Sequence, residues 1–347
     1  MAFLDSIFKD IGIDLGTANS LIYVKGKGVL VNEPSVAAIN TKTNQVLAVG
    51  DEAKKMLGRV PPHINVVRPL VNGVISDFEM TEEMLRHLLR RPGGRRAGSY
   101  RRAILAIPNN LTEVERKSVE DAAINAGVSK VYLVESPTAA ALGAGLSIEL
   151  PSASMIIDIG GGTTDIAVIS MGGTVVSRTL KVAGDRFNED IIRFVRDEFH
   201  LAIGEPTAEF AKIAVGSAMP LDERMEVPIR GRDLSTGLPN EIILKNNHIR
   251  IALSKSLRAI VDSVREVIEE TPPELAGDVL RQGIVLCGGG ALLRGLDELI
   301  EKETNVTVRV ADDPLTCVVR GLGQIVDNLD AHRDLLDNPM KPLSINL

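Results

Sequence analysis

The chain has 347 residues, more than one ordinary hydrophobic core accommodates, so two domains are expected. It is 44% hydrophobic and 24% charged, the balance of a soluble globular protein, and with no Trp and only 3% aromatic residues its core must be aliphatic. A net charge of −7 argues against general nucleic-acid binding, and the longest uncharged run, the 13 residues from Ser136 to Ile148, is too short to span a bilayer.

In chain order, the first residues lack a basic segment followed by an apolar stretch and a cleavage site, so a cytoplasmic protein is expected. Phe3, Leu4, Ile7 and Phe8 would share one face of a helix, which reads either as a weak interfacial anchor or as a frayed end. Ile13-Asp14-Leu15-Gly16-Thr17-Ala18-Asn19 then forms a strand and a turn, and it has a counterpart 144 positions on, Ile157-Asp158-Ile159-Gly160-Gly161-Gly162-Thr163. At the same offset Ile22, Val24 and Gly28 meet Ile166, Val168 and Gly172. Each copy reads as a β-hairpin whose turn holds an acidic residue, and the matches fall on turn positions, which points to duplicated domains.

After the first hairpin, Ala103 to Ile107 and Lys130 to Val134 are buried strands flanking a helix from Thr112 to Ala126 that opens with the capping box Thr112-x-x-Glu115. In the second half Asp185 to Phe199 has helical apolar spacing, and Asn246 to Glu270 is a long amphipathic helix stopped by Thr271-Pro272-Pro273. Ile284 to Cys287 is a strand, and a helix from Leu292 to Lys302 follows three glycines. Strands alternating with helices indicate helix-covered sheets. Cys287 and Cys317 lie in apolar stretches and read as buried reduced thiols.

Three glycine-rich turns carry the chemistry: Asp14 to Asn19, Asp158 to Asp165, and Cys287-Gly288-Gly289-Gly290-Ala291-Leu292. Glycines let backbone amides approach an anion without Cβ interference, and consecutive N–H groups form an anion-binding concavity. The third turn is expected to open a helix, adding its positive end. Carboxylates repel phosphate, so Asp14 and Asp158 make sense if a hydrated divalent cation such as Mg2+ lies between. Each turn alone reads more readily as a tight hairpin; three together, two of them in register, read as a phosphate site. The phosphate-loop pattern G-x-x-x-x-G-K-[S/T] and the dinucleotide pattern G-x-G-x-x-G are both missing.

Two Asp-x-Gly hairpins followed by Gly-Gly-Gly-Ala resemble the actin, sugar-kinase and heat-shock chaperone ATPases. Within that group, Ile11 to Asn19, Asn32-Glu33-Pro34-Ser35-Val36, Arg68-Pro69-Leu70 with Gly73 to Phe78, Thr271 to Leu275, and Gly288 to Leu296 resemble the MreB family. The resemblance covers about residues 11 to 330. It implies an α/β fold of the actin-like ATPase type, with two duplicated RNase H-like domains around a nucleotide cleft, each with a smaller subdomain. The first would be residues 1–150 plus 315–347, with its small subdomain at about 33–77. The second would be 151–314, with its small subdomain at about 183–245.

The implied cofactors are ATP and Mg2+. Thr17, Ala18 and Asn19 would bind phosphate from the first domain and Gly160, Gly161 and Gly162 from the second, while Asp14 and Asp158 hold the water shell of the metal. Gly289, Gly290 and Ala291 would border the adenosine. Ala208, Glu209 and Lys212 lie in a segment matching a helix that contacts ribose and adenine, although the i, i+3 spacing of Glu209 and Lys212 also suits a plain surface ion pair. Thr163 would help position the water that attacks the γ-phosphate.

One departure bears on catalysis. The family usually places Glu directly before the Pro that precedes Ala-Ala-Ala, where it orients that water; here Glu135-Ser136-Pro137 puts Ser136 there. From the residues alone, Ser136 and Pro137 also suit the N-cap and first position of a helix. Serine cannot act as a carboxylate base, so hydrolysis is expected to be slow unless Glu135 reaches in. Lesser departures are Ala183 where Gly is expected and Ala214 where Glu is common.

The resemblance further implies head-to-tail, paired filaments of the chain itself, lying at the inner face of the cytoplasmic membrane. There they would scaffold cell-wall synthesis and rod shape with morphogenetic membrane proteins. Where relatives often carry an apolar lipid-dipping loop, this chain has six arginines (Arg90, Arg91, Arg95, Arg96, Arg101 and Arg102), which read either as a contact for anionic lipid or as a solvated loop. A small-molecule kinase of the same fold is the alternative; it needs a base beside an acceptor hydroxyl, and no sugar-binding cluster is evident. A chaperone would need a large peptide-binding domain, for which the residues after the last motif leave no room.

Overall fold

The structure, a computed structural model, describes residues 9–91 and 100–336. These fall into two compact units: residues 9–152, 169–174 and 316–336 form one, and Ala153–Val168 with Val175–Leu315 form the other.

The first unit is built on a five-stranded sheet. Its strands are β1 (Lys9–Leu15), β2 (Asn19–Val24), β3 (Gly28–Pro34), β9 (Tyr100–Ile107) and β10 (Val128–Glu135), in the order β10-β9-β1-β2-β3. Between β3 and β9 lie a three-stranded sheet of β4 (Ala37–Asn40), β5 (Gln45–Val49) and β6 (Ile64–Val67), and the ribbon of β7 (Leu70–Val71) and β8 (Val74–Ile75). β1, β9 and β10 are parallel, with Asp14, Ala106 and Val134 at one level, so the three strands end along a common edge. In open α/β sheets that carboxyl edge is where ligands bind. The crossover from β9 to β10 is the helix Glu113–Asn125, whose Thr112–Glu115 capping box is formed in both directions. Ile11, Ile13, Leu105 and Leu133 have no more than 1% exposure and pack the aliphatic core that the composition requires.

The helices Ser136–Gly143 and Cys317–Asp327 cross at backbone contact. A Cβ on Gly143 would lie 1.8 Å from the Cys317 carbonyl oxygen, and one on Gly321 would lie 1.8 Å from that of Ala139. Both cysteines are buried and neither forms a disulfide.

The second unit repeats the plan. Its sheet is β11 (Ser154–Ile159), β12 (Thr164–Ser170), β13 (Gly173–Leu180), β17 (Ile284–Cys287) and β18 (Val308–Val310), in the order β13-β12-β11-β17-β18. Matched strand for strand, this is the first sheet: hairpin, third antiparallel strand, then two more strands parallel on the far side. β1 ends at Leu15 and β11 at Ile159, which is the 144-residue offset of the sequence repeat. The helices Gly184–Phe199, Glu205–Val215, Pro273–Gln282 and Asn246–Glu270 join a smaller sheet of β14 (Leu201–Ala202), β15 (Glu226–Asp233) and β16 (Pro239–Lys245). The last of those helices has the bounds its amphipathic pattern predicts.

Candidate functional site

In the first unit Asp14 is the penultimate residue of β1, facing the start of the Gly16–Thr17–Ala18 turn. Ser35 clamps the turn: its hydroxyl donates to the Gly16 carbonyl at 2.6 Å and its amide to that of Ala18 at 2.9 Å. The Thr17 hydroxyl accepts from the Gly73 amide at 3.0 Å, and the Asn19 amide donates to Asn32 Oδ1 at 2.8 Å. Thr17 and Asn19 therefore hold the turn with their side chains. A ligand would be met by backbone. Burial pushes the Asp14 carboxyl up to about 7.

At the same sheet edge, β10 runs into a helix, and here the sequence reading needs correction. Glu135, still paired with Ile107 in the ladder, occupies the N-cap, and Ser136 and Pro137 are already helical. The strand continues one residue further than the Ser-Pro pair suggests, and no side chain caps this helix. Glu135 Oε2 accepts from Thr174 Oγ1 at 2.6 Å. Just beyond β9, the amide nitrogen and oxygen of Asn109 are both shielded from solvent, with no hydrogen-bond partner among the described residues.

In the second unit the Gly160–Gly162 turn is held by its carbonyls. The Gly184 amide donates to Gly160 O at 3.1 Å and the Asp185 amide to Gly161 O at 2.8 Å. A trans peptide directs its N–H opposite to its carbonyl, so the amides of Gly161 and Gly162 point away from the helix that begins at Gly184. Two donors turned to the same side could receive an anion. The loop carbonyls also serve the helix in place of a capping side chain, which is why Ala183 suffices at the N-cap. Lys212 Nζ donates to the Gly184 carbonyl at 3.0 Å, fastening the helix Glu205–Val215 beside the turn. Ala208 has no exposed surface and packs in the core, whereas Glu209, one residue on, is partly exposed.

Asp165 is a functional candidate to which sequence reasoning assigned no role. It is 4% exposed, and its two oxygens accept from Thr163 Oγ1 at 3.1 Å and Thr179 Oγ1 at 2.5 Å. Burial raises its pKa. With its proton committed to Asp165, the Thr163 hydroxyl can offer only lone pairs elsewhere, the polarity needed to receive a hydrogen from water.

The third turn departs from expectation. Gly289–Leu292 is a single 3-10 turn, and the following helix begins only at Leu296. The chain is diverted between them by a bridge pairing Arg294 with Ser217 and by the left-handed Gly295 (φ +70°). The positive end of that helix is therefore not delivered by the glycines. What they supply is close approach: a Cβ on Gly288 would lie 2.4 Å from Asp158 Oδ1, and one on Gly290 would lie 2.2 Å from Ile159 Cγ2. Asp158, the Gly160 turn and Gly288–Ala291 are thus brought together as a side-chain-free cradle beside one carboxylate, which fits a nucleotide with its cation. Among the described residues there is no group of three or more His, Cys, Asp or Glu placed to hold a metal. A cation here would draw most of its ligands from water and phosphate, the habit of Mg2+.

A family model described as MreB/Mbl protein matches residues 8–334. This chain belongs to the MreB/Mbl family. It is 48% identical over 322 residues to the cell shape-determining protein Mbl of Bacillus subtilis, covering 93% of this chain and 97% of that one. With cell shape-determining MreB of Escherichia coli K12 it shares 47% over 331 residues, 93% and 94% of the two chains. Its structure superposes on MreB5 of Spiroplasma citri bound to ADP with a TM-score of 0.90 at 42% identity, covering 94% of this chain and 98% of that one. The match to a MamK double helical filament, TM-score 0.78 at 22% identity, shows the shared actin-like fold.

Two surface features singled out in the sequence of this MreB/Mbl chain are only partly described. Phe3, Leu4, Ile7 and Phe8, and Arg95 and Arg96, lie outside the described residues. Of the other arginines, Arg102 donates through Nε to Asp10 Oδ1 at 2.9 Å and Arg91 is paired with Glu33, so these two are engaged within the fold. Among the described residues no helix is long and apolar enough to cross a membrane.

Proposed function

We propose that this MreB/Mbl chain binds ATP with Mg2+ and polymerises head to tail into paired filaments. These lie at the inner face of the cytoplasmic membrane and scaffold cell-wall synthesis with morphogenetic membrane proteins, maintaining rod shape. The observation that carries nucleotide binding is the similarity, over nearly the whole chain, to MreB5 of Spiroplasma citri, whose structures hold ADP and AMPPNP. The cell shape-determining relatives support the cytoskeletal role.

The bound cation supplies charge neutralisation on the phosphates. Asp14 and Asp158 accept hydrogen bonds from its waters, and the amides of the Thr17–Asn19 and Gly160–Gly162 turns donate to phosphate oxygens. Glu209 and Lys212 flank the nucleoside beside Gly289, Gly290 and Ala291. Thr163, fixed by Asp165, receives a hydrogen of the attacking water. Ser136 offers no carboxylate and Glu135 already accepts from Thr174, so hydrolysis is slow. Electron microscopy of the purified chain on anionic and neutral lipid monolayers, with and without ATP, tests this reading. Filaments should form with ATP on the anionic surface; ATP-independent aggregates, or none, would sink it.

A further inference from the structure

The two glycine turns related by the sequence repeat are held in different ways. In the second unit the Gly160 and Gly161 carbonyls are taken by the backbone amides of Gly184 and Asp185, bonds that depend on no side chain. In the first unit the equivalent of Gly160, 144 positions earlier, is Gly16, and its carbonyl accepts instead from the Ser35 hydroxyl at 2.6 Å. Ser35 is fully buried, and its Oγ lies 2.8 Å from that of Ser20, which is also fully buried. Counting hydrogens fixes the direction of this chain. A hydroxyl has one hydrogen, and two oxygens 2.6 Å apart repel unless a hydrogen lies between them. The Gly16 carbonyl has none to give, so Ser35 donates to Gly16 and Ser20 donates to Ser35. The Ser35 backbone N–H also holds the carbonyl of Ala18, at 2.9 Å.

A trans peptide sets its N–H opposite to its carbonyl. With the Gly16 and Ala18 carbonyls both drawn to Ser35, the backbone N–H groups of Thr17 and Asn19 are turned away from it. Among the described residues no backbone carbonyl accepts from the Thr17 N–H. We infer that Ser35 is a positioning residue for phosphate: its hydroxyl and its amide together aim two backbone donors of the first turn at the phosphate chain of a nucleotide. The inference rests on the ATP reading proposed above and gives that reading a residue outside the turn itself. Ser20 supports the Ser35 oxygen and holds no carbonyl of the turn. Removing the Ser35 hydroxyl frees the Gly16 peptide to rotate and releases the Thr17 donor. Removing the Ser20 hydroxyl leaves that peptide held.

The test measures the affinity of the full chain for AMPPNP with Mg2+ by titration calorimetry, in Ser35→Ala, Ser35→Cys and Ser20→Ala. Ser35→Ala should weaken binding about tenfold or more, because hydrogen bonds to a charged phosphate are the strong ones. Ser20→Ala deletes an equally buried hydroxyl and should weaken it by less than about threefold. Ser35→Cys separates aiming from packing. A thiol fills the space of the hydroxyl but donates weakly, so this variant should bind AMPPNP nearly as poorly as Ser35→Ala. A residue that merely packs would keep its full affinity as cysteine. Melting of the nucleotide-free variants shows which are folded, and if Ser35→Ala is not, Ser35→Cys carries the comparison. Undiminished affinity in a folded Ser35 variant, or an equal loss in Ser20→Ala, would overturn the assignment. If the unaltered chain does not bind AMPPNP at all, it is the ATP reading beneath that fails.

Discussion

Asp14 is placed where its charge is costly unless something positive arrives. Its carboxyl titrates near 7 because burial disfavours the ionised form. The usual sign for a carboxylate is therefore reversed: the folded chain holds the proton more tightly than the unfolded one. Stability is undiminished below the unfolded value of about 4, falls as pH rises, and carries the full penalty above about 7. Nucleotide-free Asp14→Asn should accordingly melt no differently from the unaltered chain at pH 4 and higher at pH 8, with the gap opening between. A gap that is constant across that range would mean the group is not titrating in the fold. The motif made Asp14 legible because an acidic residue before a Gly turn has few structural uses. The part played by Ser35 was illegible for the opposite reason: Pro34-Ser35 at the end of a strand is ordinary turn composition, and only its contact with Gly16, 19 residues away, distinguishes it.

At the scale of elements, hairpins and helices were readable wherever local chemistry decided them. The Thr112 capping box and the apolar spacing of Asn246–Glu270 are properties of consecutive residues, and both elements have the expected form. The start of the Ser136–Gly143 helix and the helix after Gly288–Gly290 were misplaced because tertiary pairing sets them, through the Glu135–Ile107 ladder in one case and the Arg294–Ser217 bridge in the other. The Ser136 helix depends on tertiary packing throughout: every residue from Pro137 to Gly143 is buried, and its backbone touches that of Cys317–Asp327 at Gly143 and Gly321. A methyl group at position 321 meets carbonyl oxygen rather than a yielding side chain, so the helices must separate. Overpacking of this kind costs about 1–3 kcal/mol or more. Gly321→Ala should lower the unfolding free energy by that much, read as a lower denaturant midpoint at unchanged slope, whereas Gly277→Ala, inside the helix Pro273–Gln282 with nothing within 4 Å of the added methyl, should raise the midpoint slightly.

Each unit has a main core assembled from its own residues, and a nucleotide bound as proposed would need residues of both, Asp14 and the Thr17 turn from one, Asp158 and the glycine turns from the other. Units with separate cores unfold together only if something couples them. A ligand that needs residues of both supplies such coupling, and at 100 times its dissociation constant it stabilises the native state by about 2.7 kcal/mol. Calorimetry with Mg2+ and AMPPNP should therefore show one sharpened transition at higher temperature, against a broader one without nucleotide. Asp14→Ala and Asp158→Ala disturb different cores, so a shared loss of the nucleotide-induced shift cannot come from local damage to either unit. The converse outcome is equally informative. If one variant keeps the full shift, the nucleotide is held by a single unit, and the duplicated hairpin of the other serves only its own fold.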